Sequence, residues 1–398
     1  MKPLLLTIKV NRQRADVNRR NFRQVSAPAT FAWPTAELNP IEVRVTQPSS
    51  PAFRHRLAAA RKVLVVDLGF LGDTVQAFPV LWTIKERCAG ELHVVSTPLG
   101  SEVLRLAPYV DRIWTVELNR QKRTLSAQLE LIRSLRQERF DIAVSFSGND
   151  RNVILVGVSG ADWRLVQEQG RRHFWDRWLV DEWVAMRSRD LPVFEQRRQV
   201  LAAAGVELAP PCFDLRIATP DLEWAERVMP AGAIHFSLNS AVPLKEWPVA
   251  HYAALIRRLA GMFPTVPLAV SAMANPREQA RVQELLQSVA GISVTVLPTG
   301  LTIGQLAAAL RRCRLHFGPD SGVMHLAAAL GVPTVSLFRE KGSFREWIPS
   351  QPGHEALLAP CACVDHYDAP CERTGEAKCL AGIGVETVAA RMIARLRL

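Results

Sequence analysis

Residues 62–81 read KVLVVDLGFLGDTVQAFPVL. The apolar run KVLVV leads into a turn that holds Gly69, Gly72 and Asp73, and the turn opens into an amphipathic stretch that carries Pro79 in its first turns. A short continuous apolar run bounded by turn signals suits a strand covered on both faces, as in a parallel sheet. A glycine-bearing turn from such a strand into a helix leaves bare backbone N–H groups at the helix N-terminus, which attract anions. GFLGDTV does not match G-x-G-x-x-G, so the glycine pair is no dinucleotide fingerprint. Asp73 falls where an N-cap residue belongs, and an Asp cap favours a helix by ~1 kcal/mol. The same turn could also hold Asp73 as a catalytic base at the rim of a site. Spacing leaves both readings open.

The rhythm continues outward from this stretch. ELHVVST, RIWTVEL and DIAVSFSG read as strands, while GSEVLRLAPYVD and LSAQLELIRSLRQERF read as helices, the second with Leu125, Leu129, Ile132 and Leu135 near helical spacing. Strands alternating with helices imply a parallel sheet covered on both faces. Residues 160–210 are aromatic, basic and less regular, and end in a helix that stops at Gly205. VELAPPCFDL reads as an interdomain linker, because paired prolines continue neither a helix nor a central strand.

A second alternation follows. AIHFSLN, PLAVSAM, SVTVLP, LHFGPD and PTVSLF are strands, and VAHYAALIRRLAGMF, PREQARVQELLQSV, TIGQLAAALRRC and SGVMHLAAALG are helices, the last capped by Gly331. Two parallel α/β domains bind ligands outside the carboxyl ends of their strands. The expected organisation is an N-terminal extension over 1–55, one domain over 56–210, a second over 211–384, and a C-terminal helix over 385–398. That helix, GVETVAARMIARLRL, is amphipathic and basic; packing at the domain junction suits it better than lying on an anionic membrane. Within the extension, IEVRVTQ alternates as a strand would.

Composition sets limits on partners. The chain has 398 residues, of which 48% are hydrophobic and 22% charged, enough apolar content for two cores. A net charge of +11 favours anionic partners: nucleic acid, anionic lipid or phosphorylated small molecules. RNP-like aromatics, zinc-finger spacing and a helix-turn-helix pattern are lacking, which argues against nucleic acid. The opening MKPLLLTIKVNRQRADVNRR turns polar too soon for a secretory leader, and no apolar run has the length of a membrane span. A cytoplasmic location with mostly reduced thiols is expected. Of seven cysteines, Cys361, Cys363, Cys371 and Cys379 cluster as C-x-C-x7-C-x7-C. Four thiolates can hold zinc or iron, but this spacing is not a C-x2-C knuckle, and buried free thiols or a disulfide-prone loop suit it better.

Two further stretches carry chemistry. In PDSGVMHLAAALGVPTVSLF (319–338), Asp320, Ser321 and Gly322 form another strand-to-helix turn. Asp320 and Ser321 can cap the helix, Gly322 lets a ligand approach the backbone, and His325 lies one turn in, facing the same mouth. The helix dipole and free N–H groups suit a diphosphate. In NSAVPLKEWPVAHYAAL (239–255), Lys245 stands in a loop between strand and helix, where it could neutralise a leaving phosphate; taken alone, it reads better as a solvated surface lysine. The aromatic segment His173–Trp183 reads as core or as the wall of a binding site.

Together, in this order, these pieces resemble glycosyltransferase family 9, the ADP-heptose:lipopolysaccharide heptosyltransferases. VLVVDLGFLGDTVQAFPVL is similar to the family's apolar strand, Gly-Asp turn and Pro-bearing helix, and the likeness runs on through SEVLRLAPYVDRIW. SAVPLKEWPVAHYAALIRRL resembles its Ser/Lys/Trp-Pro loop, and DSGVMHLAAALGVPTVSLF its D-[ST]-G-x-x-H signature. The resemblance spans about residues 61–395 and departs after VSLF, where REKGSFREWIP replaces a Gly- and Thr-bearing loop. It implies a GT-B fold, with two Rossmann-like domains facing across a cleft, the first taking the acceptor and the second the nucleotide sugar. It implies inversion at the anomeric carbon with neither metal nor cofactor. Asp73 is then the general base and Gly69 and Gly72 the turn glycines. Lys245, Ser321 and Gly322 offset the leaving diphosphate, Asp320 holds sugar hydroxyls, His325 contacts the sugar or a phosphate, and Glu278 contacts the ribose.

The implied partners are ADP-heptose and an anionic lipid-linked saccharide of the lipopolysaccharide core, with room for peripheral contact with the inner membrane. A protein O-heptosyltransferase acting on a surface adhesin is the alternative that an N-terminal extension and a four-cysteine segment would suit. A non-catalytic nucleotide-sugar-binding protein of the same fold is the contrasting class.

Overall fold

The computed structural model describes residues 51–118, 124–169, 172–185, 191–340, 344–361, 371 and 373–397. The chain forms two compact units, one ending at Arg216 and the other beginning at Ile217. That boundary lies slightly past the expected 210/211, because the Arg216 N–H donates to Leu106 O at 2.8 Å and ties the end of the linker to the first unit.

The first unit runs α1 (Pro51–Ala59), β1 (Lys62–Asp67), α2 (Leu71–Val75), α3 (Phe78–Arg87), β2 (Glu91–Ser96), α4 (Pro98–Leu104) and β3 (Arg112–Thr115). It continues with α5 (Leu125–Glu138), β4 (Ile142–Ser145), α6 (Asp150–Val158), β5 (Trp163–Glu168), α7 (Asp176–Leu179), β6 (Glu182–Ala185) and α8 (Val193–Ala203). Among the described residues its strands pair in parallel as β3-β2-β1-β4-β5-β6. The order reverses between β1 and β4, and ligands of open α/β sheets bind at that reversal. The turn after β1, which carries Asp73, stands there.

The second unit comprises α9 (Thr219–Val228), β7 (Ala233–Ser237), a 3-10 turn (Pro243–Lys245), α10 (Val249–Met262), β8 (Leu268–Ser271), α11 (Pro276–Ser288) and β9 (Val294–Val296). Then come α12 (Ile303–Arg311), β10 (Cys313–Pro319), α13 (Gly322–Ala329), β11 (Thr334–Glu340), α14 (Phe344–Trp347), β12 (His354–Pro360), α15 (Lys378–Ala381) and α16 (Val385–Leu396). Its sheet, again parallel, is ordered β12-β11-β10-β7-β8-β9. Counted from β7 this is the same order as the first sheet. The reversal falls between β7 and β10, which places the Lys245 loop and the Asp320–Gly322 turn side by side. Gly331 closes α13 at φ +75°, a left-handed conformation that favours glycine.

Several expectations change in the structure. The helix expected over DTVQAFPVLWTIKERC is two: α2 stops at Val75, Ala77 caps α3, and Pro79 sits in the first turn of α3, where its missing N–H costs no helical bond. Asp73 is the third residue of α2 rather than its cap; Phe70 holds the cap position. Helix α1 reaches into the segment expected as an extension, because Phe53 and Leu57, four apart, are buried. In α5 the core face is Leu131 and Leu135, while Leu129 is exposed. Strands β5, β6 and β12 were not legible, since β6 and β12 are sheet edges and all three mix charged with apolar residues. The apolar face of α16 is spent inside the second unit, where Val388, Ala389, Met392 and Leu396 join the core under α10. IEVRVTQ lies outside the described residues.

Candidate active site

In the first unit the turn after β1 is built around two carboxylates. Asp67 ends β1; its Oδ2 accepts from Thr74 Oγ1 at 2.7 Å. Burial pushes the Asp67 carboxyl above its ordinary value, against the pull of Arg197 and the Thr74 hydroxyl. Asp73 Oδ2 accepts the Phe70 N–H at 3.0 Å, which is the carboxylate half of a capping box. Its side chain remains 27% exposed, so solvent and ligands reach it. Gly69 is required by close approach: a Cβ there would lie 2.3 Å from Asp73 Cβ. Gly72, in the first turn of α2, is buried and sends its carbonyl to the Gln76 N–H at 3.0 Å. Phe70 projects its ring into solvent at 76% exposure, three residues from Asp73.

Arg197 joins this group from α8. Its Nη1 donates to Asp73 O at 2.6 Å, Nη2 stands 3.6 Å from Asp73 Oδ1, and Nη1 stands 4.0 Å from Asp67 Oδ1. Neither Arg197 nor Asp67 is signalled by a motif. Arg197 lies 124 residues from Asp73 in an ordinary amphipathic helix, and Asp67 reads as the last residue of a strand.

In the second unit Lys245, Asp320 and His325 come together. Lys245 Nζ donates to Asp320 Oδ2 at 2.5 Å, and His325 Nε2 stands 3.7 Å from Asp320 Oδ1. Burial would raise the Asp320 carboxyl, yet His325 and Lys245 outweigh it and hold Asp320 below the ordinary carboxylate value. Lys245 is 39% exposed on its side chain and Asp320 12%, so the lysine can share its charge with a ligand. Ser321 occupies the N-cap position of α13 but makes no side-chain cap bond. Its Oγ is buried without a hydrogen-bond partner among the described residues. The first-turn N–H groups of α13, beginning with Gly322, have no intrahelical partner either. A buried hydroxyl and free amides beside a lysine form a cradle for an anion. Trp347 lies edge-on to His325, ring centroids 5.5 Å apart.

The loop that carries Lys245 is held from behind. Trp247 is buried in the core and donates through Nε1 to Ile383 O at 3.2 Å. The buried Glu246 carboxylate accepts from the Ser240 N–H at 2.8 Å and from Arg277 Nη1 at 2.7 and 2.8 Å, with Arg281 Nε at 3.4 Å. Ser240 Oγ donates to Asp320 O at 3.2 Å, which joins the two turns directly. Glu278 is turned to local work: it accepts from the Met273 N–H and from Asn275 Nδ2, both at 2.9 Å, and so closes the start of α11.

The aromatic segment is not plain core. His173 and Trp175 stack at 4.3 Å, and Phe174 and Trp178 are exposed. Cys361 and Cys371 are buried and Cys379 is half-buried. Cys363 lies outside the described residues, and among those described no three His, Cys, Asp or Glu side chains converge as a metal site.

Residues 128–371 match the model of the family described as glycosyltransferase family 9 (heptosyltransferase). Lipopolysaccharide heptosyltransferase 1 of Pseudomonas aeruginosa is 26% identical over 291 residues, covering 70% of this chain and 78% of that protein. The crystal structure of a family 9 glycosyl transferase from Veillonella parvula superposes with a TM-score of 0.70 at 21% identity, covering 85% of this chain and 98% of that one. An E. coli heptosyltransferase, WaaC, solved with ADP-2-deoxy-2-fluoro heptose, superposes with a TM-score of 0.66 at 18% identity, covering 84% of this chain and 99% of that one. The two parallel six-stranded sheets are those of the GT-B fold these structures share.

Proposed function

This chain belongs to glycosyltransferase family 9, the heptosyltransferase family, and from that premise we propose that it moves a heptose from ADP-heptose to a saccharide of the lipopolysaccharide core, with inversion at the anomeric carbon. The observation that carries this reading is the cradle at the start of α13. There Ser321 Oγ is buried without a partner among the described residues, beside first-turn helix amides that lack intrahelical acceptors, in the turn whose Asp320 holds Lys245 at 2.5 Å. That arrangement fits the diphosphate of a nucleotide sugar.

The acceptor hydroxyl oxygen attacks the anomeric carbon, and its proton passes to the Asp73 carboxylate. The bond from that carbon to the diphosphate oxygen breaks, and the electron pair leaves on ADP. Lys245, Ser321 Oγ and the Gly322 N–H offset the charge that develops on this oxygen. Asp320, kept ionised by Lys245 and His325, accepts from sugar hydroxyls. Glu278 shapes the start of α11 and leaves lone pairs for a ribose hydroxyl. A lipid-linked anionic acceptor suits the net charge of +11. Among the described residues no helix is long and apolar enough to cross a membrane. The proposed acceptor is met from the cytoplasm, with peripheral contact at the inner membrane.

The test is transfer by the purified protein with ADP-heptose and a heptose-deficient lipopolysaccharide core. Mass spectrometry reads the added sugar and NMR the configuration of the new linkage. Transfer by the wild type that is lost in Asp73→Asn, with ADP affinity retained, supports the reading. Transfer that survives in Asp73→Asn removes Asp73 as base, and failure of ADP to bind removes the donor assignment.

A further inference from the structure

We propose that Arg197 is the positioning residue of Asp73 and that Asp73 Oδ1 is the oxygen that takes the acceptor proton; the inference deepens the reading of Asp73 as base and rests on it. Because α2 ends at Val75, the Ala77 N–H turns to Thr74 O at 3.1 Å and leaves the Asp73 carbonyl without its helical donor. Arg197 Nη1 supplies one at 2.6 Å. The main chain of the base is therefore fixed by a buried guanidinium from α8, a helix laid against α3.

The side chain is fixed asymmetrically. Oδ2 is committed to the Phe70 N–H at 3.0 Å, whereas Oδ1 faces Arg197 Nη2 at 3.6 Å, beyond hydrogen-bond length. Among the described residues Oδ1 thus keeps its lone pairs for an incoming hydroxyl, with the guanidinium charge 3.6 Å away. When Asp73 is protonated its charge disappears, and a buried guanidinium with one partner would then be uncompensated. Asp67, at 4.0 Å on Oδ1 and anchored by Thr74 on Oδ2, stays as the second partner. Proton transfer therefore never leaves Arg197 alone in a buried site.

The experiment compares Arg197→Gln, Arg197→Lys and Asp73→Asn with the wild type, reading kcat, both KM values, the acid limb of kcat against pH, and the thermal midpoint. In Arg197→Gln kcat is expected to fall about 100-fold, as for a misplaced catalytic group, with donor KM within about twofold. Loss of the positive charge moves the acid limb to higher pH. Arg197→Lys keeps the charge without the planar fork; it holds the limb in place and restores part of kcat. Two results overturn the proposal while Asp73→Asn stays inactive: an Arg197→Gln kcat within about threefold of wild type, or a fall in kcat that follows the thermal midpoint with the acid limb unmoved. Activity in Asp73→Asn overturns the base itself, and Arg197 with it.

Discussion

Gly69 and Asp73 are packed so closely that a methyl group on the glycine would lie 2.3 Å from the aspartate Cβ and 2.8 Å from its Cγ. The contact is steric, and no left-handed backbone is involved. Asp73 can hold its place only because residue 69 has no side chain.

Gly69→Ala is therefore expected to displace Asp73 or open the turn. Overpacking of this kind costs about 1–3 kcal/mol of stability. The loss of transfer should exceed that cost, at about 100-fold in kcat, because the displaced atom bears the carboxylate proposed as the base. Thermal melts beside steady-state kinetics separate the two effects.

Lys245→Met removes the cation shared by Asp320 and the proposed diphosphate. A hydrogen bond to a charged group contributes about 1.5–3 kcal/mol, so ADP affinity should fall roughly 10- to 100-fold. Isothermal titration with ADP reads this directly. A change below twofold would mean that Lys245 only anchors Asp320.

Phe70→Ala should leave the donor side untouched. The ring is 76% exposed beside Asp73, and burial of a phenyl group against a ligand gains about 1.5–3 kcal/mol. The expected result is an acceptor KM raised about tenfold, with ADP affinity unchanged. An unchanged acceptor KM would exclude Phe70 from the acceptor site.

Stability should decline in mild acid through three histidines of the second sheet, His235 and His316 buried and His354 half-buried. His235 and His316 meet Nδ1 to Nδ1 at 2.9 Å, and His354 Nδ1 meets Thr334 Oγ1 at 3.1 Å. Burial lowers His235 and His354 to about 4 and holds His316 well below 6.5. The unfolded chain binds these protons first, so this stability is complete above about pH 6.5 and is lost as pH falls from there toward 4. Thermal melts across that window test it, and His354→Asn should flatten the slope. An unchanged slope in that variant would rule His354 out as a contributor.

Most of the candidate residues could be read as text because they are adjacent in the chain. Asp73 and its glycines lie within one turn, and Asp320, Ser321, Gly322 and His325 within another. The Lys245 loop was legible through its Trp-Pro pair, and the structure supplies the reason, since Trp247 is the core anchor of that loop. Asp73 was misplaced by a few residues as an N-cap, because apolar and helical patterns do not tell where a short helix begins. Glu278 was selected as a ribose contact; the structure adds that its carboxylate also closes the start of α11 through the Met273 N–H and Asn275 Nδ2.

The sequence alone determined two parallel α/β units, since strand and helix periods and turn residues are local properties written into short segments. It also singled out the turns that are proposed to carry the chemistry. Only the tertiary structure decided the strand order, which sets β1 beside β4 and β7 beside β10 and so brings Lys245 onto Asp320. Only it revealed Arg197, whose partners Asp67 and Asp73 lie more than a hundred residues away in the chain. The physical reason is that an ion pair requires charges a few ångströms apart in space, and that separation is set by how helices pack on a sheet, which no local pattern records.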